Sequence, residues 1–381
     1  MSTGHVVLVG AGHANLAIVR NARQLQRLDL DVTLVDPHAF WYSGLAAAVL
    51  GGAVSPARDV IDPGAAAAHR GVRFVPARVT ALDPAGGLVT LDDGVVLTAT
   101  AVVLNVGSDL ESFGLPVDRA DVTPAKPIRG LLDLHDRLVQ GPQRPRVVIV
   151  GGGATALETA GNLTAGPVAD AVAPQVTVVA GPEPLAAAPS DDVRRRMLRP
   201  LLARGVTWEA GVLATDVTDE GVVLADGRRL GADHVVLATG LRASRSIEAL
   251  GLGDRNGMPV GPTLQHSDHP NLLGAGDAVR FGPRGLPRLG VHAVRQAPVL
   301  LDNLVALHTG EALRSYEPPQ QVLTAVDLGG GDAVVMRGDR WFAGRPALVT
   351  KRLLDEWYLR RHRATWVTGR TVGDRPRGGR R

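Results

Sequence analysis

Three stretches of this 381-residue chain occur twice, in the same order. VVLVGAG at 6–12 returns as VVIVGGG at 147–153, and VTLVD at 32–36 returns as VTVVA at 176–180. LDDGVVLTATAVVLNVG at 91–107 returns as LADGRRLGADHVVLATG at 224–240. The offsets, about 141, 144 and 133 residues, keep the order of elements while loop lengths differ. Each copy reads as a buried Val-rich parallel strand, a glycine turn, a helix and a second strand. An Asp-Gly hairpin and an exit strand ending at glycine follow. Two nucleotide-binding domains of one type account for the pattern.

Punctuation sets the boundaries. Gly141-Pro142-Gln143-Arg144-Pro145 breaks the chain before the second glycine motif, and Lys126-Pro127 lies in the connection between halves. NLLGAGDAV at 271–279 supplies one more buried strand and a Gly-Asp turn, which most simply completes the first domain. The expected division is therefore 1–115 with 257–315 as a discontinuous first domain, and 116–256 as a second domain inserted into it. A small α+β segment, 316–381, ends the chain. Within it VLTAVDL and DAVVMRG read as strands and ALVTKRLLDEWYLRRHR as a helix, before the basic end DRPRGGRR. The fold class is α/β, with two Rossmann-like domains and this C-terminal addition.

Composition excludes several chemistries. Without cysteine there is no disulfide scaffold, thiolate metal site, cysteine nucleophile or redox-active thiol pair. Residues 340–381 carry 12 Lys or Arg against 3 acids, which leaves 29 against 35 for the rest. The basic balance belongs to the tail, so nucleic acid is not an expected partner. The first apolar run leads straight into a glycine motif without a basic leader, and no run approaches the roughly 20 apolar residues of a membrane span. A cytoplasmic protein is expected, with peripheral attachment to the cytoplasmic membrane face left open. His13, His292, His266 and His269 lack the clustering of a metal site, and a homodimer is compatible with the sequence.

In Gly10-Ala11-Gly12-His13-Ala14-Asn15 the first glycine permits a tight turn. The second lets backbone amides approach a pyrophosphate at a helix N-terminus. Asn15 replaces the usual small third residue, which predicts a slightly wider helix–strand spacing. Asp36 ends the second strand, where a carboxylate accepts the hydroxyls of a ribose. Gly151-Gly152-Gly153-Ala154-Thr155-Ala156 repeats the arrangement, but its second strand ends at Ala180-Gly181 with no acid. NADH held without that contact and NADPH both remain open, with Arg194-Arg195-Arg196 either meeting a 2′-phosphate or forming a solvated helix face. Glu158 either complements a helix dipole or stands beside the reacting rings of a nicotinamide–flavin pair. Asp277, in Gly274-Ala275-Gly276-Asp277, either caps a following helix or, in a flavin-binding protein, takes a ribityl hydroxyl.

Two glycine motifs, an Ala-Thr-Gly exit strand and a late Gly-Asp turn resemble the flavoproteins with two dinucleotide-binding domains. GGGATALETAG at 151–161 is similar to type II NADH dehydrogenases. GAGHAN, WYSGL, NVGS, AKPI and HAVRQAPVLLDNL resemble the flavoprotein module fused to selenide, water dikinase. The resemblance implies FAD in the first domain, NADH or NADPH in the second, and hydride transfer between them. By matched position it gives Gly10, Gly12, His13, Asn15, Asp36, Ser43, Val79, Gly107, Gly276 and Asp277 to FAD. Gly151, Gly153, Ala154, Thr155 and Gly240 fall to the nicotinamide cofactor, and Glu158 to catalysis at its contact with flavin. Type II enzymes carry an Ala-Gln pair near the quinone where this chain has Gly290-Val291.

The expected activity is transfer from NAD(P)H through FAD to a quinone-type acceptor. A reductase of a small redox protein and a non-catalytic flavin sensor are the alternatives. The C-terminal helix offers a second expectation. Leu353, Leu354, Trp357 and Tyr358 share one face, bordered by Lys351, Arg352, Arg360, Arg361 and Arg363. That face suits either an anionic membrane surface or packing against the flavin domain.

Overall fold

A computed structural model describes residues 4–363 except 183, 184, 186 and 187; the basic end at 374–381 lies outside the described residues. In the first sheet Gly4–Val9 runs parallel between Leu30–Val35 and Ala101–Leu104, with Arg73–Val75 and Leu272–Gly274 at the two edges. In the second, Arg146–Val150 runs parallel between Gln175–Ala180 and His234–Leu237, with Thr207–Ala210 and Val122–Pro124 at the edges. The repeated segments thus occupy equivalent strands. The two sheets differ in the strand beside the exit strand: the chain supplies it before the second repeat begins, but long after the first repeat has ended.

Both halves add a three-stranded antiparallel sheet. One is Val79–Asp83, Leu88–Leu91 and Val96–Thr98, and the other is Ala214–Thr218, Gly221–Leu224 and Arg229–Gly231. Their tight turns fall at Asp93-Gly94 and Asp226-Gly227, as the hairpin signals predict. The central strands are unbroken runs of buried Val, Ile and Leu because each parallel sheet is covered on both faces, by helices on one and by its antiparallel sheet on the other.

The C-terminal strands Thr324–Asp327, Ala333–Arg337 and Arg340–Ala343 form an antiparallel sheet backed by the helix Arg345–His362. This unit packs on both domains. Val326, Leu328, Val334 and Met336 enter the core of the second, while Tyr358 and Leu359 enter that of the first.

The helix sits differently from its apolar pattern. It buries Ala347, Leu348, Lys351, Asp355, Tyr358, Leu359 and His362, and exposes Val349, Leu353, Leu354 and Trp357. Tyr358 is therefore not on the outer face, and Lys351 is not one of its basic borders. The reason is electrostatic: the inward charges find partners across the interface, so burying them leaves no isolated ion.

Candidate active site

A cavity of about 1850 Å³ lies between the two domains and beneath the C-terminal helix. Both glycine turns open into it. At the first, a β-carbon on Gly12 would stand 2.3 Å from the Asn105 side-chain oxygen, so only glycine lets the exit strand come this close. Asn105 uses that approach. Its Oδ1 accepts from the amides of Ala14 at 2.8 Å and Asn15 at 3.4 Å, while its Nδ2 donates to the Ala275 carbonyl at 2.8 Å. One side chain thus caps the first helix, His13–Arg20, and ties it to the Gly-Asp turn. Sequence reasoning missed Asn105 as a separate residue, although it opens the NVGS stretch.

Asp36 stands where the strand-end acid was expected. Its two oxygens accept from the amides of Ala11 at 2.6 Å and His38 at 2.7 Å, which fixes the carboxylate facing the cavity. Asn15 lies behind the turn instead. It is fully buried, and its amide donates to the carbonyls of Val9, Gly10 and Val103. The third position is thus filled by a polar staple between helix and strand.

Ser108 donates to Asp277 Oδ2 at 2.7 Å, and the Lys126 ammonium donates to Ser108 Oγ at 2.6 Å while standing 3.5 Å from that carboxylate. Asp277 belongs to a short 3-10 turn, Gly276–Ala278, that runs into a strand, and its side chain makes no cap. The capping alternative is therefore not realised.

At the second turn the helix Ala154–Leu163 begins without a side-chain cap, and a β-carbon on Gly153 would meet nothing within 4 Å. Bare backbone N–H groups at a helix start suit a phosphate. Gly107 is similarly open, with only the Lys126 ammonium 4.0 Å from its added β-carbon. Two such turns, one with a strand-end carboxylate, make a donor and acceptor set that fits two dinucleotides.

Of the residues expected in the site, Gly10, Gly12, His13, Asp36, Ser43, Val79, Gly107, Gly153, Ala154, Thr155, Glu158 and Asp277 line the cavity. Asn15, Gly151, Gly240 and Gly276 are not part of its lining. Arg194, Arg195 and Arg196 pair with Asp191, Asp192 and Asp332 respectively.

Glu158 lies past the first turn of its helix, and its surroundings rather than the helix dipole account for its state. Its Oε1 accepts from the Asp327 amide at 2.9 Å, and the Lys351 ammonium is 4.0 Å away. Burial outweighs both attractions and pushes the carboxyl up to about 7. Lys351 donates to the Gly44 carbonyl and, at 3.0 Å, to Asp355 Oδ2. Tyr42 donates to the other Asp355 oxygen at 2.9 Å. Burial works to lower the Lys351 amine, but the Glu158 and Asp355 carboxylates prevail and hold it above its ordinary value.

His13 packs edge-on against Phe40 and Tyr358, with Nδ1 2.5 Å from the Tyr358 hydroxyl. Burial lowers its imidazole to about 4, so the ring is neutral at pH 7. Periodicity found none of these cross-domain partners, because the pairs lie far apart in the chain.

Comparisons with known proteins agree with this architecture. The family profile described as pyridine nucleotide-disulphide oxidoreductase matches residues 4–297. An NADH dehydrogenase-like protein of Mycobacterium tuberculosis (strain CDC 1551 / Oshkosh) is 30% identical over 392 residues, covering 92% of each chain. A probable ferredoxin reductase of Castellaniella defragrans is 28% identical, covering 88% of this chain and 84% of its own. Among solved structures, the sulfide:quinone oxidoreductase of Aquifex aeolicus superposes with a TM-score of 0.80 at 18% identity, covering 95% and 92% of the two chains.

Proposed function

Because this chain belongs to the pyridine nucleotide-disulphide oxidoreductase family, we propose that it is an NAD(P)H:quinone-type oxidoreductase working at a membrane surface. FAD and NAD(P)H are its cofactors. Without cysteine the chain has no disulfide to reduce, so electrons leave directly for an external acceptor. When bound, FAD would supply the two-electron redox chemistry between NAD(P)H and the acceptor.

The residues supply position and field. Asp36 accepts the ribose hydroxyls of FAD, and the turn at Gly10 and Gly12 admits its pyrophosphate. Asp277, set by Ser108 and Lys126, receives the ribityl chain. Thr155 and the bare amides after Gly153 take the pyrophosphate of the nicotinamide cofactor. Glu158, poised near neutrality, holds or releases a proton where the two domains meet.

The observation that carries the acceptor assignment is the cavity's apolar mouth. Leu354 and Trp357 line the cavity yet are 42% and 53% exposed, and Val349 and Leu353 continue the same helical surface. Trp341 and Phe342 of the neighbouring strand are exposed as well. A lipid-dissolved quinone would reach the cavity across such a surface without crossing water. Among the described residues no helix is long and apolar enough to cross a membrane.

The primary test is sequential stopped flow. NAD(P)H mixed anaerobically with the yellow protein should bleach the flavin quickly, and a water-soluble quinone should then restore the colour. Restoration by a ferredoxin but by no quinone would support the alternative suggested by the Castellaniella relative. Stable colour over minutes would reject an enzyme. Glu158→Gln should change turnover more than FAD content, and wild-type turnover with wild-type nucleotide affinity would remove Glu158 from the mechanism.

Membrane contact has its own test. Deleting the helix would also remove Tyr358 and Leu359 from the flavin-domain core, so outward substitutions are cleaner. Leu353→Ser with Trp357→Ser should keep FAD and the reduction of soluble quinones, yet lose flotation with anionic liposomes. Exposed arginines beside the patch are each worth about 1 kcal/mol at such a surface, so wild-type flotation should weaken in high salt. Failure of the wild type to float at low salt would reject the membrane reading.

A further inference from the structure

His13 is the first residue of the helix that follows the Gly12 turn, but its ring reaches the C-terminal helix. Phe40, Tyr42 and Tyr358 all meet it edge-on, with ring centroids 5.1, 6.0 and 4.9 Å away. Tyr42 and Tyr358 stack on each other at 4.9 Å, so the imidazole stands in a fixed aromatic frame. Its Nδ1 edge meets the Tyr358 hydroxyl, whereas Nε2 has no hydrogen-bond partner among the described residues. Nε2 lies against Gly290, the exposed first residue of the helix Gly290–Thr309, where a β-carbon would come within 2.9 Å of it. His13 and Gly290 both line the cavity, as do Leu354 and Trp357 of the helix that carries Tyr358.

The bond at the first edge decides which ring nitrogen carries the proton. The Tyr358 hydroxyl is buried, and His13 Nδ1, 2.5 Å away, is its only hydrogen-bond partner among the described residues. Were Nδ1 the donor, the phenol proton would be buried without an acceptor, which is costly. Burial also holds that phenol above its ordinary value, so it keeps a proton to give. Tyr358 therefore donates and Nδ1 accepts, which puts the one proton of the neutral ring on Nε2. The ring is neutral because burial lowers the imidazole to about 4, against Asp277 and with the help of His362 and Lys126. A single N–H, locked in direction, thus faces the cavity beside Gly290.

We propose that His13 Nε2–H is the hydrogen-bond donor to a carbonyl oxygen of the acceptor, and that Tyr358 is a positioning residue that holds the ring in this tautomer. The proposal rests on the quinone reading above. A quinone gains two electrons on its way to quinol, and negative charge gathers on its carbonyl oxygens as it does so. A fixed neutral N–H stabilises that charge without surrendering its proton. His13 is therefore no acid in the sum. NAD(P)H brings hydride and water the second proton, so that NAD(P)H, H⁺ and quinone give NAD(P)⁺ and quinol. Gly290 has the complementary task, since a side chain there would crowd the donor.

Two measurements on the FAD-loaded full chain test this. In stopped flow, the reduced protein is reoxidised by a soluble benzoquinone or by ferricyanide, which has no carbonyl to bind. The ratio of the quinone rate to the ferricyanide rate should fall at least roughly tenfold in His13→Leu. His13→Gln, which keeps a side-chain N–H, should recover part of it, and Gly290→Ala, which crowds Nε2, should reproduce the loss. The second measurement is infrared. With ¹³C-carbonyl-labelled benzoquinone bound to the oxidised protein, the carbonyl stretch should lie below that of free quinone and move back in His13→Leu. Tyr358→Phe keeps the rings stacked but frees the tautomer, so it should give an intermediate result in both.

A ratio unchanged in both His13→Leu and Gly290→Ala, or a carbonyl band indifferent to His13, would overturn the proposal. So would a His13→Leu protein that sheds its FAD yet keeps the ratio once reloaded, because the ring would then serve the flavin. If quinone fails to reoxidise even the wild type, the quinone reading falls and this assignment falls with it. If quinone works and the ratio holds, only the assignment falls. Should His13→Leu not fold, the rate ratio and the carbonyl band of the wild type against Gly290→Ala decide.

Discussion

Asp36→Ala is expected to lower FAD affinity by at least roughly tenfold, since each lost charge-assisted hydrogen bond is worth about 1.5–3 kcal/mol. The carboxylate has two tasks. It faces the cavity, where on the proposed function it would accept a ribose, and it pins the glycine turn through the amides of Ala11 and His38. Removing it therefore loses ligand contacts and frees the loop that must cradle the pyrophosphate. The core beneath is untouched, because the strand Leu30–Val35 keeps its parallel partners on both sides. The variant should fold, emerge from purification largely colourless, and recover colour only with excess FAD. Flavin retained through dialysis as in the wild type would refute the assignment of Asp36.

Lys351→Met should cause the largest stability loss of any single change at the site, about 3–5 kcal/mol near pH 8, because it strands buried carboxylates. The loss should depend on pH. Glu158 is raised from an ordinary 4.5 to about 7, and Asp59 from 3.8 to about 8. Across those windows the folded chain binds more protons than the unfolded one, so stability falls as pH rises. The Lys351 ammonium limits that fall in the wild type. Without it both carboxyls rise further, and the deficit widens from pH 5 toward pH 8. His13 and His362, each lowered by burial to about 4, act in the opposite sense between pH 4 and 6.5. They remain in both proteins and largely cancel in the difference. Denaturant titrations of the two holoproteins at pH 5 and pH 8 would measure the effect, and a deficit independent of pH would disprove the account.

The duplicated domains were legible because parallel strands covered on both faces must be continuously apolar, and a glycine turn must follow where a helix starts beneath phosphate. Glu158 was recognised as a candidate from its motif, but its partners were not. Apolar periodicity assigns charged residues to the outside. Lys351 and Asp355 invert that rule only because Glu158, Tyr42 and the Gly44 carbonyl wait across the interface. Once those charges turn inward, the apolar residues on the opposite face of the helix, Leu353 and Trp357, are carried outward. Asn105 escaped for a related reason: it caps a helix about ninety residues earlier, whereas capping signals in a sequence are local. Asp277 read as a helix start because a Gly-Asp turn commonly precedes one, and here a strand follows instead.

The two edge strands reach their sheets at different times as the chain is synthesised. Every strand of the second sheet lies between residues 122 and 237, so that sheet can pair fully as soon as those residues emerge. The first sheet must wait for Leu272–Gly274, and its covering helix for Gly290–Thr309. Asp277 arrives between them. Of the two parallel sheets, the one that begins the chain is thus completed last, beside a neighbour whose strands are already paired. The second glycine turn can therefore be framed by its sheet before the first sheet has its last strand.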